Sequence, residues 1–336
     1  MYLVKFRNKI RGYLQKRYDT SGVPELHRYY GEQMAYGHRE ILLEYMSLPR
    51  DLYFKSILTH GKVLPDELDP IRPNFDRLGN QLTQVLWRGD AETEAANKGV
   101  SAISIGATGV YAMLNKGYKL ENIRENIISF STKHSWGKSK EEILKKLSGK
   151  RILYLPVHSW DGDVVSRKTE DIELLRNLNK NLITVCLGYL DFIDPQCRNL
   201  YSAEGFKVEC AGIRASKVFG SPAGGREKFL YNLFDLILNS DFVLADEFTT
   251  GLLYAICLGK EIGILTLSEK SNLQYSNYRD SKHFEEDIKK QSLFFRWMTG
   301  TYVDPKTIEY DVKMALGIDK IRSKEELLGL LPTYKI

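Results

Sequence analysis

The residue types best suited to chemistry fall where short apolar runs end. The stretch DFVLADEFTTGLLYAICLGK (241–260) runs apolar to residue 245. It then places Glu247, Thr249, Thr250 and Gly251 ahead of a second apolar stretch of helical length. Free N–H groups at a helix start, two hydroxyls and a glycine make a cradle for a phosphate without a P-loop. Thr249 or Thr250 as a plain N-cap accounts for the same pattern. The stretch RILYLPVHSWDGD (151–163) delivers His158 at the end of another run, with Asp161 and Asp163 just after it. A histidine followed by a hydroxyl and carboxylates can hold a ribose, bind a phosphate or protonate a leaving group. A loop histidine that only caps backbone is the plainer reading. Two further run ends supply Gly188 with Asp191, and Gly212 with Arg214. Glycine admits a ligand to the backbone, and an arginine fork suits phosphate or carboxylate, although an ion pair explains Arg214 equally well.

The N-terminal half carries its own set: Thr59-His60-Gly61, Trp87-Arg88-Gly89-Asp90 and Gly106-Ala107-Thr108-Gly109. His60 and Asp90 are candidate catalytic groups, each with a structural reading of similar weight. The bare GxxG fits close strand–helix packing as well as it fits a ligand. The chain contains no GxxxxGK[ST], GxGxxG, GxSxG or HExxH. P-loop NTPase, ordinary dehydrogenase, hydrolase and zincin readings therefore lose weight. The Asp161-Gly-Asp163 pair is a weak metal signal, and no metal is expected.

These residues need strands and helices to position them. RILYLPVH, LITVCLGY, FKVECAG, DFVLADE and KEIGILTL read as strands. KTEDIELLRNLNK, PQCRNLYSAEG, REKFLYNLFDLILNS and TTGLLYAICLG read as the helices between them. Strand–helix alternation of this kind predicts a doubly wound parallel sheet, with ligands beyond the carboxyl ends of its strands. Upstream, REILLEYMSL reads as a helix, LYFKSILTH, QLTQVLWR and SAISIGA as strands, and DAETEAANKG as a helix. Residues 62–80 read as a loop, and GKSKEEILKKLSGK (137–150) as a polar connecting helix. The expected fold class is α/β, with two Rossmann-like doubly wound domains facing a cleft and joined near residue 150. The C-terminal IDKIRSKEELLGLL reads as a terminal helix.

With 336 residues and 43% hydrophobic content, the chain can build two cores. Residues 1–150 hold 24 Lys and Arg against 17 Asp and Glu, whereas the remainder is slightly acidic. The surplus concentrates in Lys5, Arg7, Lys9, Arg11, Lys16 and Arg17, which meet no acid within the first 17 residues. Leu3, Phe6, Ile10 and Tyr13/Leu14 recur there at helical spacing. Either a helix on an anionic membrane surface, at about 1 kcal/mol per cation, or a solvated helix packed on its own domain fits that pattern. Because the charge is local, no nucleic-acid partner is expected. No apolar run reaches the length of a membrane span, and the charged start lacks the apolar core of a signal peptide. The four cysteines, Cys186, Cys197, Cys210 and Cys257, form no CxxC, which predicts reduced, mostly buried thiols in a cytoplasmic protein.

Taken in order, HG at 60, VLWRGDAETEAANKGVSAISIGATGVYAM (85–113), LPVHS (155–159), VCLGYLDF (185–192), EGFKVECAGIR (204–214) and SDFVLADEFTTGLLYAICLGK (240–260) resemble a group of bacterial glycosyltransferases. The group has the GT-B plan, serves surface-polysaccharide synthesis, and is similar to the transferases that use CMP-activated nonulosonic acids or Kdo. The likeness covers about residues 55–265. It implies a basic N-terminal segment (1–35), an acceptor-side domain (36–148), a nucleotide-sugar-binding domain (149–300) and a C-terminal helical segment (301–336). His158 matches the histidine of a His-Pro motif that contacts the nucleotide phosphate, with Ser159 standing in place of the proline. Thr249 and Thr250 match the hydroxyl pair that holds the CMP phosphate, with Gly251 where related sequences carry a histidine. Gly188, Gly212, Arg214 and Glu247 complete the nucleotide side, and Asp90, His158 and His60 the catalytic set. The resemblance further implies a nucleotide-sugar donor, a glycan or lipid-linked acceptor, no separate cofactor, and a peripheral place on the inner face of the cytoplasmic membrane through residues 1–17. A CDP-alditol phosphotransferase, a UDP- or GDP-sugar transferase and a non-catalytic scaffold of the same fold are the alternatives.

Overall fold

The computed structural model describes residues 37–54, 57–59, 84–86, 102–133, 139–159, 169–212, 228–246, 249–265, 293, 296–297, 303–331 and 333–335. The chain is α/β and divides into two compact units. One comprises Met1–Tyr118, Ile213–Leu230 and Lys313–Ile336; the other comprises Lys119–Gly212 and Tyr231–Val312. The basic segment 1–35, the loop 62–80, the expected helix DAETEAANKG, and His60, Asp90, Asp161, Asp163, Arg214 and Glu247 lie outside the described residues.

Among the described residues the first helix of the first unit is α1 (His38–Met46). Strands β1 (Leu52–Phe54), β2 (Ile57–Thr59), β3 (Gln84–Leu86) and β4 (Ala102–Ser104) follow, then helix α2 (Thr108–Asn115). Strands β2, β3 and β4 form a parallel sheet in that order. The stretch LYFKSILTH, expected to be one strand, is two strands in two sheets. The reason lies at the other end of the chain: β1 pairs antiparallel with β10 (Thr333–Lys335). The C-terminal segment is therefore not only helical, and Leu52 faces Lys335 in the ladder. Helix α2 packs on α1. Asn115 Nδ2 donates to the Ile41 carbonyl at 3.0 Å, and the Tyr45 and Tyr111 rings meet edge to face at 4.9 Å. The buried Tyr111 hydroxyl donates to the Ile105 carbonyl and accepts from the Arg322 N–H at 3.0 Å, and burial raises its pKa. Gly106 has φ of +85°, and a Cβ there would lie 2.6 Å from the Gly317 carbonyl, so the turn from β4 into α2 requires glycine.

The second unit begins with helices α3 (Glu121–Lys133) and α4 (Lys140–Leu147). A capping box between Ser139 and Glu142 starts α4. Then come β5 (Ile152–Leu155), α5 (Thr169–Arg176), β6 (Ile183–Leu187), α6 (Tyr189–Ile193) and α7 (Pro195–Ser202). They are followed by β7 (Lys207–Cys210), α8 (Phe229–Leu238), β8 (Phe242–Ala245), α9 (Thr250–Cys257) and β9 (Glu261–Ile264). The five strands and helices α5, α7, α8 and α9 are those that the apolar runs predict; α6 is an addition, and it takes Tyr189 out of the strand expected over LITVCLGY. The five strands are all parallel in the order β7-β6-β5-β8-β9. Every residue of β5 and β8 is buried, as strands covered on both faces must be. The core gathers Tyr154, Val185, Phe234, Ile237, Phe242, Leu244 and Ile264 with the buried residues of α9. Asn126 of α3 closes the C-terminal end of α9 by donating to the Cys257 carbonyl at 2.8 Å. Helices α10 (Pro305–Leu316) and α11 (Lys324–Leu330) precede β10. No helix among the described residues is long and apolar enough to cross a membrane.

At the N-terminal edge of the sheet, Asp241 clamps Arg151. Its Oδ2 accepts from the Arg151 backbone N–H at 2.9 Å and from Nε at 3.0 Å, and its Oδ1 accepts from Nη2 at 2.6 Å. This clamp ties the start of β8 to the start of β5 and holds the Asp241 carboxyl down at about 2, chiefly through the arginine hydrogen bond. A carboxyl depressed in the folded state contributes stability above its ordinary range and loses it as pH falls through the lowered value. Asp241→Asn is therefore expected to lower the thermal midpoint at pH 7, and the gap from wild type to close as the pH falls from 5 toward 2. A gap that stays constant across that range in calorimetry contradicts the assignment.

Candidate nucleotide site at the strand-order switch

Strand β5 pairs with β6 on one side and with β8 on the other, from Ile152 opposite Phe242 to Leu155 opposite Ala245. The chain leaves β5 for one side of the sheet and later returns to the opposite side. The two connections therefore part above the carboxyl ends of β5 and β8. In doubly wound sheets that parting leaves a crevice, and ligands bind there. The residues facing it by position are Val157, His158 and Ser159 after β5, Gly188 after β6, and Asp246 and Thr249–Gly251 after β8.

Helix α9 starts at this edge with Thr249 as N-cap in extended conformation (φ −131°, ψ 159°) and with no side-chain cap bond. Its first-turn N–H groups are therefore not satisfied by a capping side chain, and they carry the positive end of the helix dipole. Thr250 is exposed and Thr249 half-buried. Hydroxyls and N–H groups at this point suit an anionic oxygen. A Cβ on Gly251 would lie 2.7 Å from Leu155 Cδ1 and 3.3 Å from Thr249 Oγ1, so the glycine lets α9 seat against the end of β5.

On the other side of the crevice the loop after β5 is held by two carboxylates. Asp246 Oδ2 accepts from the Val157 N–H at 2.9 Å, while its Oδ1 accepts from the buried Tyr154 hydroxyl. Asp191, 4% exposed on α6, accepts from the Ser159 N–H at 2.9 Å through Oδ2. His158 sits between these anchors, half-buried, and its Cβ fills the space that a side chain on Gly188 would need, at 2.6 Å. Gly188 thus seats the histidine. Gly212 leaves β7 with φ of +123°, and its N–H donates to Cys210 Sγ at 3.4 Å. Its conformation alone demands glycine.

Of the sequence-derived candidates, the structure brings His158, Gly188, Thr249, Thr250 and Gly251 to one edge of one sheet, and it places Gly212 at the end of β7. Asp246 and Tyr154 escaped the sequence reading. The signal for Asp246 was its place as the first residue after β8, beside the Glu247 that drew attention instead. Burial pushes Cys186 up to about 12 and also raises Cys210 and Cys257, so all three stay protonated at neutral pH. Among the described residues, no group of three or more His, Cys, Asp and Glu side chains is placed to hold a metal ion. No family model matches the chain, and neither the curated proteins nor the solved structures contain a match to it.

The two glycines differ in what a side chain would strike. At Gly188 the obstacle is the Cβ of His158, which cannot move without its backbone; at Gly251 it is the tip of a leucine, which can rotate. Gly188→Ala is expected to cost about 2–3 kcal/mol, and Gly251→Ala about 1 kcal/mol, because alanine also favours the helix. Urea unfolding of both variants checks the order, and equal costs contradict it.

Proposed function

We propose that the chain is a GT-B-type glycosyltransferase of bacterial surface-polysaccharide synthesis. It transfers a sugar, with a nonulosonic acid or Kdo from a CMP donor favoured, to a glycan or lipid-linked acceptor. The observation that carries the reading is the start of α9, where the N-cap Thr249 makes no side-chain cap bond and Thr250 is exposed, at the same carboxyl edge of the sheet as His158 and at the switch in strand order. The two-domain GT-B arrangement, the acceptor and the inner-membrane location through residues 1–17 belong to the same proposal and rest on the resemblance in sequence.

The chemistry follows from the groups present. When CMP leaves a sugar, negative charge grows on the phosphate and positive charge on the anomeric carbon. Amides at the start of α9 and the Thr250 hydroxyl take up the phosphate charge. His158 supplies a proton to the departing phosphate. The carboxylate of Asp90 serves as base for the acceptor hydroxyl or stabilises the oxocarbenium-like centre. A monophosphate ester leaves with charge that these donors can balance, so this chemistry does not require a metal.

One observation favours a second reading, a non-catalytic nucleotide- or polysaccharide-binding scaffold. Related transferases carry a histidine at the position of Gly251, and here even a Cβ meets Leu155 at 2.7 Å. That crowding leaves the phosphate to Thr250 and the helix start. Binding without turnover of CMP-sugars is the signature of the scaffold.

Thermal unfolding in the presence of CMP, CDP, UMP, UDP, GDP and ADP tests the site. A ligand at 100 times its Kd adds about 2.7 kcal/mol to the native state. The expected result is a rise with CMP that is lost in Thr250→Ala. A rise with UDP or GDP alone changes the donor class, and no rise with any nucleotide overturns the proposal.

A further inference from the structure

We infer that Asp191 and Asp246 are positioning residues that hold His158 at the mouth of the crevice, an inference that rests on reading this edge as a nucleotide-sugar site. A loop leaving the end of a strand has no ladder to fix it. This one is fixed at alternate residues, and the two anchors bracket the histidine: the Val157 N–H is held by Asp246 and the Ser159 N–H by Asp191, each at 2.9 Å. The anchors approach from opposite neighbours of β5, since Asp246 follows β8 and Asp191 lies on the short helix after β6. Hydrogen bonds from amides to ionised carboxylates are among the stronger ones, and they are directional. Gly188 supplies the third wall, because both His158 Cγ and Asp191 Oδ2 would lie 3.4 Å from a Cβ built there.

The cost of this arrangement points the same way. Asp191 is 4% exposed, and a carboxylate withdrawn from water is expensive unless its hydrogen bonds compensate. Asp246 is oriented in its turn by the buried Tyr154 hydroxyl on the strand beneath the loop. With the Val157 and Ser159 N–H groups committed to carboxylates, the backbone on both sides of His158 is fixed.

The test uses the full-length chain with ring-labelled histidine, the His158 signal being identified by its loss in His158→Asn. Asp191→Ala and Asp246→Ala are expected to shift or split that signal and to raise the Kd for CMP roughly tenfold. Asp191→Asn keeps the acceptor that the Ser159 N–H uses and is expected to restore both readouts, whereas Asp246→Asn keeps one acceptor for two donors and is expected to restore them in part. Tyr154→Phe removes the hydroxyl that orients Asp246 and is expected to move the ring signal in the same sense as Asp246→Ala, which keeps the test available if alanine at the buried site prevents folding. Alanine variants with an unchanged ring signal and an unchanged Kd overturn the inference, as do asparagine variants that fail as badly as alanine. If the wild-type protein binds no CMP, the nucleotide reading falls, and the ring signal still decides whether the carboxylates position His158.

Discussion

The pairing of β5 with β8 is the constraint on which the described site depends. It joins strands that lie far apart in the chain, and it is held at both edges of the sheet. At the amino edge Asp241 grips the Arg151 guanidinium and backbone. At the carboxyl edge Asp246 takes the Tyr154 hydroxyl and the Val157 N–H. Between them every residue of both strands is buried, so a slip in register would move a full set of apolar side chains. With β6 already on the other side of β5, this pairing forces the strand order to switch there, the point at which doubly wound sheets bind their ligands.

The same packing decides what the crevice can present. Gly251 lets the start of α9 seat against Leu155 at the end of β5, and Gly188 makes room for His158 in the loop after it. One side then offers the start of a helix with hydroxyls. The other offers a histidine on a loop tied down by two carboxylates. Donors for negative charge and a group able to pass a proton thus share one edge of the sheet.

Much of the second unit can be read from residue order. Parallel strands covered on both faces appear as short apolar runs, and amphipathic or capped stretches separate them, so RILYLPVH through KEIGILTL yields its five strands directly. Strand order cannot be read this way, because nothing local in DFVLADE says that it lies against RILYLPVH. For the same reason Asp246 goes unnoticed: its partners, Tyr154 and Val157, are distant in sequence. The part played by Gly188 also depends on a distant neighbour, since only the fold brings His158 Cβ to it. Pairing at long range misleads in the first unit as well. LYFKSILTH looks like one strand, and TYK at 333–335 looks like none, until β1 and β10 meet.

The most direct measurement is hydrogen–deuterium exchange of the full-length chain with and without saturating CMP, read peptide by peptide. The account requires protection at both lips of the crevice, in the loop after β5 around residues 156–159 and in the first turn of α9 around 249–253. Protection confined to peptides elsewhere, or exchange identical with and without nucleotide, would contradict it.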